Sequence, residues 1–522
     1  MMRLPATLAL AAMLASVAAH ADDGVGQIKK GVPAANPHVG TPATVVDPDF
    51  QLRLIATGSE PLENPNGVIT KFGQLSNGTQ TEPDENLYLV LDHNPGGPTS
   101  GFDYGRRFLF QGHENGAPFA YVTRINLDVP RGNPHRITLL TPGDATGNTG
   151  FGSIDGSTYN PFTNTLLFAQ EAGANGGIIQ ITLDWPVQVN TLYPFLGRAG
   201  YEGIHPDDKG NIYMIEDTGG ATSSTPAINR GRQPNSFVYR YLPNNPGRIE
   251  DGGRLQALQV TIDGQPIVFG GPANVDADIS SNAQLKLHTP GTSWPIKWVT
   301  IHTSNAGDTT PFDANAAAKL AGATPFKRPE NMAWLPTSNF GTLFFCPTGD
   351  TDATAGDNSF LQARGSYGSI FRVDLRKDDD DDQAHGHGHP AADDGSISLF
   401  FLGDREHNSF DNLAFANEQQ LMATEDRGDL LHGQLNALDS VWAFDVHANN
   451  KKPIRLIALG RDQTSVTHLE DNEPTGLFVS NGSTSRKQML GTPESLNKAR
   501  GFFTMQHGDN NVFEFVQTKG SN

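Results

Sequence analysis

The sequence predicts an all-β protein, a six-bladed β-propeller with long loop insertions, and three observations carry that expectation. Among 522 residues there are 57 Gly and 35 Pro, charged residues make up only 18%, and helix-periodic stretches are few. Such a composition suits many short strands joined by turns. Six alternating or aromatic-rich strand candidates recur: "FAYVTRINLDV", "GIIQITLDW", "NSFVYRYLP", "GSIFRVDL", "DSVWAFDVHA" and "NVFEFVQ". Each follows a polar segment that bears an acid: "GHENG", "AQEAG", "IEDTGG", "CPTGD", "TEDRG" and "MQHGD". Several of these segments also close hairpins, most plainly "EGIHPDDKGNIYMIED" and "DNLAFANEQQLMATED", more loosely "DGSTYNPFTNTLLFAQE" and "ENMAWLPTSNFGTLFFCPTGD". A hairpin with an added outer strand, repeated, is the sequence signature of propeller blades. The irregular period places the insertions in loops.

Around that repeat the chain divides into three parts. Met1-Met2-Arg3, the apolar run "LPATLALAAMLASVAA" and the small residues ending at Ala21 read as a signal peptide over 1–21, cut before Asp22. The expected location is therefore periplasmic or secreted. Residues 22–85 are expected as an N-terminal extension packing on the propeller, and 86–522 as the propeller itself. An acidic and His-rich loop insertion at 379–394 carries most of "DDDDDQAHGHGHP". No other stretch is long and apolar enough to span a bilayer. The lone Cys346 excludes an intrachain disulfide, so stability must come from core size or bound cations. A net charge of −20 repels nucleic acid and anionic membranes and suits cations.

The acids have a pattern. Glu202 lies 14 residues before Glu216, and Asp411 lies 14 before Glu425, each pair straddling a turn. In an antiparallel hairpin that spacing places both members at one open end. Crowded carboxylates must take up protons or bind a cation. Repeated around a propeller, these ends would converge on the axis as a carboxylate-lined cup. Its candidate metal ligands are Glu114, Glu171, Glu202, Asp217, Glu330, Asp411 and Glu425. Oxygen donors in such numbers select Ca²⁺, Mg²⁺ or ferric iron over softer metals. His113 and His507 fall beside the acids, as candidates for proton transfer or for supporting a ligand. No serine nucleophile with a His/Asp relay stands out, so hydrolysis at this cup would be metal-based.

The order "GHE", "AQE", "YEGIHPDDKGNIYMIED", "RPENMAWLP", "DNLAF", "EPTGLF" and "MQHG" resembles the PhoX-type alkaline phosphatase family over roughly residues 90 to 515. The resemblance implies a six-bladed propeller that holds iron and calcium in an acidic cup and hydrolyses phosphate monoesters outside the cytoplasm. By motif it implies metal-ligand roles for Glu114, Glu202, Glu330 and Asp411, and a phosphate-holding role for Arg328 in "RPE". Arg328 then acts as catalytic and substrate-binding residue, its planar fork suited to bidentate phosphate contact. The plain alternative is an ion pair tying two loops. His113 is the accompanying catalytic candidate.

Three departures from the family pattern stand out. Gly112 replaces the asparagine before the His-Glu pair. Ala169 or Gln170 stands where the family has an iron-ligating cysteine, while Glu171 remains. The leader has one arginine rather than a twin-arginine signal. These departures favour Ca²⁺ over Fe³⁺ and leave two other readings open, a calcium-dependent lactonase or ester hydrolase and a non-enzymatic metal-stabilised propeller scaffold.

Overall fold

A computed structural model describes residues 25–64, 67–350, 358–376, 394–448, 452–461 and 473–518. The expected signal peptide at 1–21, and residues 379–393 of the acidic and His-rich insertion, lie outside them.

The described chain is mostly β, with only short helices. Inner strands such as "TLLFAQ", "IYMIE", "TLFFCP" and "SVWAFD" carry near-continuous apolar runs and are buried on both faces because sheet packs on sheet. Four sheets of four or five strands stand apart in a propeller-like arrangement. The innermost strands of these four are Glu82–Val90, Ile154–Asn160, Phe410–Phe415 and Pro474–Ser480. The remaining strands form one ten-stranded sheet, bounded by Tyr201–Pro206 at one end and Pro329–Trp334 at the other.

The expectation of six separate blades, made from the repeat and implied by the resemblance, is corrected here. The cause is the insertion after Pro243. It contributes two long strands, Gly252–Ile262 and Ser293–Asn305, which pair with each other. Ser293–Asn305 also pairs along its first residues with Asp394–Leu402. Hydrogen bonding therefore runs without a break where a gap between blades was expected. The sheet curls until its end strands approach, with only 2.9 Å between Asn331 Cα and the position a Cβ on Gly203 would take. The result is a nearly closed nine-strand path with one extra short strand, beside a four-bladed arrangement.

The two ends of the chain are joined in the same sheets. Phe50–Ala56 pairs with Asn511–Gln517, and Val45–Val46 pairs with Ile454–Ala458. Residues near the N-terminus thus supply edge strands to sheets built from the C-terminal third.

Close backbone approach between neighbouring sheets depends on glycine. A Cβ on Gly156 would lie 1.9 Å from the Glu202 carbonyl oxygen, and one on Gly112 would lie 2.4 Å from that of Ile154. The Gly112 departure thus has a packing reason, since an asparagine there would push the neighbouring strand away. Gly156→Ala is expected to destabilise the fold by about 3 kcal/mol, because the contact is with backbone that cannot rotate aside. Chemical denaturation checks this, and an unchanged midpoint would mean that the strands have room to spare.

Candidate metal centre

The six strands that open the hairpins share one irregularity. In each, the register against the next strand shifts by one residue near its start: at Pro83/Asn86, Ile154/Ser157, Tyr201/Ile204, Pro329/Asn331, Phe410/Leu413 and Thr475/Phe478. An extra residue in one strand bends it and re-aims a side chain. Five of the shifts contain an acid: Asp84, Asp155, Glu202, Glu330 and Asp411. Beside the sixth stands Thr475, whose hydroxyl donates to Asp84 Oδ1 at 2.5 Å.

These acids gather into two groups. Asp84, Glu114 and Asp155 each place a carboxylate oxygen within 4.8 Å of the others, and Glu202, Glu330 and Asp411 do the same. The five at the register shifts are only 3–4% exposed, so their charges cannot be left to water. Burial pushes Asp84 up to about 6, and it pushes Asp155, Glu114, Glu202, Glu330 and Asp411 well above the usual carboxylate range. Neighbouring carboxylates add to the effect, and Asp155 raises Glu202 across the gap between the groups. Asp155 Oδ1 is buried without a hydrogen-bond donor. Crowded, buried oxygen ligands with too few donors suit a hard cation such as Ca²⁺.

Arg328 borders the second group. Its backbone is left-handed (φ 49°), which for a non-glycine residue costs about 1–3 kcal/mol and occurs often at functional sites. Its Nη2 lies 2.9 Å from Asp217 Oδ2 and 3.0 Å from Glu330 Oε1, and its Nε donates to Asp217 Oδ2 at 3.0 Å. Asp426 stands 3.8 Å away. Glu330 therefore belongs both to an acidic group and to the arginine. Glu171 links the two regions: burial first, then the charge of Asp217, raises it to about 8, and it shares a hydrogen bond with Glu114.

Other expected residues lie elsewhere. The two hairpins with 14-residue spacing do not face their acids together, because the register pairs Tyr201 with Glu216 and Phe410 with Glu425. Glu202 and Asp411 turn toward each other and Glu330, whereas Glu216 and Glu425 are tied to other partners. Glu425 accepts from Arg427 Nη2 at 2.7 Å and from the Asn408 amide. Glu216 accepts from Tyr239 and Asn315. His113 is fully buried, with Nδ1 bonded to Thr81 and Nε2 to Thr123, both at 2.9 Å, and it stacks on Tyr121. His507 stands 3.5 Å from both Glu82 and Glu473. At the expected cysteine position, Ala169 packs in the core while Gln170 bonds Tyr193 and Gly152. Cys346 Sγ faces the Asp411 carbonyl.

Sequence reasoning missed Asp84 and Asp155. The available signal was an acid followed by a small or amide-bearing residue at the start of a strand, as in "IDGS", "YEGI", "PENM" and "FDNL", with "PDEN" a weaker variant.

A pH test follows from the burial. The folded-state pKa values of these acids lie above the unfolded 3.8 for Asp and 4.5 for Glu. Their contribution to the metal-free fold is full below the unfolded values and is lost as pH rises through the folded ones, between 3.8 and about 6 for Asp84 and between 4.5 and about 8 for Glu171. Thermal melts of chelated protein should fall across this window, and saturating Ca²⁺ should flatten the fall. A flat chelated profile would count against crowded buried carboxylates.

The molecule is thus a propeller-like β protein with two carboxylate clusters able to coordinate a metal ion. Among the described residues no helix is long and apolar enough to cross a membrane. A family model described as "Alkaline phosphatase PhoX" matches residues 148–485, well over half of the chain. That span holds Glu171, Glu202, Asp217, Arg328, Glu330, Asp411 and Glu425, and leaves Asp84, His113 and Glu114 outside. No curated protein matches in sequence. Among solved structures, Pseudomonas fluorescens PhoX in complex with vanadate, a transition state analogue, is similar at 13% identity and a TM-score of 0.54. The match covers 94% of this chain and 98% of that one, and at such identity it speaks for the fold alone. A catalytically inactive virginiamycin B lyase from Staphylococcus aureus with quinupristin follows, at 12% identity, 90% and 100% coverage and a TM-score of 0.35, too distant in shape to carry an argument. By the extent of the family match, the chain belongs to the alkaline phosphatase PhoX family.

Proposed function

We propose that this protein is a metal-dependent hydrolase of phosphate monoesters, acting where the two carboxylate clusters meet Arg328. The observation that carries the reading is the junction of two buried oxygen-donor clusters with a guanidinium that Asp217 holds in place. Family membership and the vanadate complex of a similarly folded protein support it. On this reading Asp84, Glu114 and Asp155 hold one cation, with Glu171 beside them, and Glu202, Glu330 and Asp411 hold another. The all-oxygen donor set, with no thiolate at Ala169 or Gln170, fits Ca²⁺ better than Fe³⁺. When bound, the cations would polarise a phosphoryl oxygen and lower the pKa of a water.

The chain's own residues do the rest. Arg328 neutralises charge on the transferring phosphoryl group and fixes its orientation. Asp217 orients Arg328, so the guanidinium is set before substrate arrives. His113, tied at both nitrogens to threonines, braces the strand that presents Glu114 rather than moving a proton. Export to the periplasm or the exterior, and the division into a leader at 1–21, an extension at 22–85 that contributes Asp84, and a propeller-like body from 86 onward, belong to the same proposal.

Hydrolysis of a chromogenic phosphate monoester should vanish on chelation and return with added Ca²⁺. Arg328→Ala should lower kcat/KM by about 10²–10³-fold, and unimpaired turnover in that variant would remove the arginine from the mechanism. Asp155→Asn and Asp411→Asn should each lower bound metal by about one ion per chain, because each removes a charged ligand from a different cluster. Glu425→Gln should leave metal content unchanged and lower only the melting temperature. Elemental analysis with thermal melts reads both effects, and parallel metal loss in Glu425→Gln would undo the division of roles.

A further inference from the structure

A cavity of about 310 Å³, partly open to solvent, shares no lining residue with the carboxylate clusters. Its volume falls at the lower end of small-molecule sites, which run from about 300 to 1,000 Å³. Pro33, Ala34, Ala35, Leu435 and Ala437 form its apolar wall, and Arg405, Glu406, Arg427 and Arg455 its polar one. It thus lies where residues near the N-terminus meet the end of the helix Gly428–Leu435 and the turn ahead of Phe410–Phe415.

The charged ends of two arginines, not their stems, reach this wall. Arg455 Nη2 donates to Glu406 Oε1 at 3.3 Å, and its Nη1 donates to the Val32 carbonyl, next to Pro33, at 3.3 Å. Arg427 Nη2 donates to the Glu406 carbonyl at 2.8 Å. Both guanidiniums therefore converge on Glu406. Arg427 is well matched, since it also bonds Glu425, Asn408 and the Leu438 carbonyl. Arg455 is not. It is 4% exposed, with its guanidinium carbon 4.2 Å from the centre of the Trp442 ring. A guanidinium has five N–H groups. Here Nε–H goes to Ser440 and two others to Val32 and Glu406, and the remaining two have no acceptor among the described residues. The Glu406 contact is itself loose. It uses one oxygen, is longer than the usual charged hydrogen bond of about 2.7–2.9 Å, and comes from a side chain that is 62% exposed. Buried N–H groups are seldom left so poorly matched in native structures.

We infer that this cavity is a second ligand site, separate from the carboxylate clusters, for a small aliphatic carboxylate whose headgroup displaces the Glu406 side chain from Arg455. Glu406 shows what the site accepts, a carboxylate on a short aliphatic stem. A free carboxylate, not tethered to the turn, can approach the guanidinium with both oxygens and use the two spare N–H groups. The proline, alanine and leucine wall then covers its hydrocarbon chain. Glu406, once released, already stands largely in solvent, so displacing it exposes little that was buried.

The test is calorimetric titration of the full chain with hexanoate and with hexanamide, which share a shape and differ in charge. Hexanoate should bind about tenfold more tightly, as expected for hydrogen bonds from a charged donor. Glu406→Ala removes the competing carboxylate and should tighten hexanoate binding severalfold while leaving hexanamide unchanged. Arg455→Met keeps a stem over Trp442 and should abolish the preference for hexanoate. Equal affinities for the two probes, or no binding of hexanoate, would overturn the proposal. So would hexanoate binding that Arg455→Met leaves intact, since that binding belongs elsewhere, at a metal ion for instance. Should Arg455→Met fail to fold, Glu406→Ala decides, being a change at an exposed side chain: tighter hexanoate binding supports the site, and unchanged or weaker binding overturns it.

Discussion

The organising constraint is the burial of negative charge from separate strands at one place. Five carboxylates at register shifts, 3–4% exposed, face one another with too few positive partners to balance them. Arg328 answers for Asp217 and in part for Glu330, and the others have hydroxyl or amide donors at best. Desolvation alone would drive such groups to bind protons. Protons or a bound cation can relieve that strain, and each of the two groups places its oxygens close enough to coordinate one ion.

What makes the gathering possible is a layer of small and amide residues just behind the acids. After Asp155 and Glu202 come Gly156 and Gly203, where a Cβ would strike the next strand. After Glu330 and Asp411 come Asn331 and Asn412. Asn331 donates to Glu85 at 2.8 Å, and Asn412 accepts from Thr475 and from the Leu477 amide. Either a missing side chain lets backbones meet, or an amide spans the gap with hydrogen bonds. Both solutions hold neighbouring strands at a fixed spacing, and the acids inherit that spacing.

Much of this was legible in the sequence, for a physical reason. Strand alternation and hairpin turns are local, so the β character and most hairpins could be read directly. Glu202, Glu330 and Asp411 were legible because each opens a strand behind a turn. The facing of Glu202 with Glu216 was not, since one extra residue in a strand reverses which face a side chain takes. Nothing in a 14-residue spacing reveals that shift. Asp84 was hidden because "PDEN" shows two acids in a row and lies ahead of the first recognised repeat. The ten-stranded sheet was hidden because the pairing of Ser293–Asn305 with Asp394–Leu402 joins segments about a hundred residues apart.

The junction of the chain's two ends has a consequence for biogenesis. Asp84 is held by Thr475 and by Gln506, which lie 391 and 422 residues further along the chain. The strand Phe50–Ala56 likewise waits for Asn511–Gln517. A polypeptide not yet extended through Thr475 and Gln506 would therefore lack two donors to the first carboxylate cluster, however much of the rest had folded. Folding is thereby ordered: the strands around Thr475 and Gln506 must be in place before the first carboxylate cluster takes its final form.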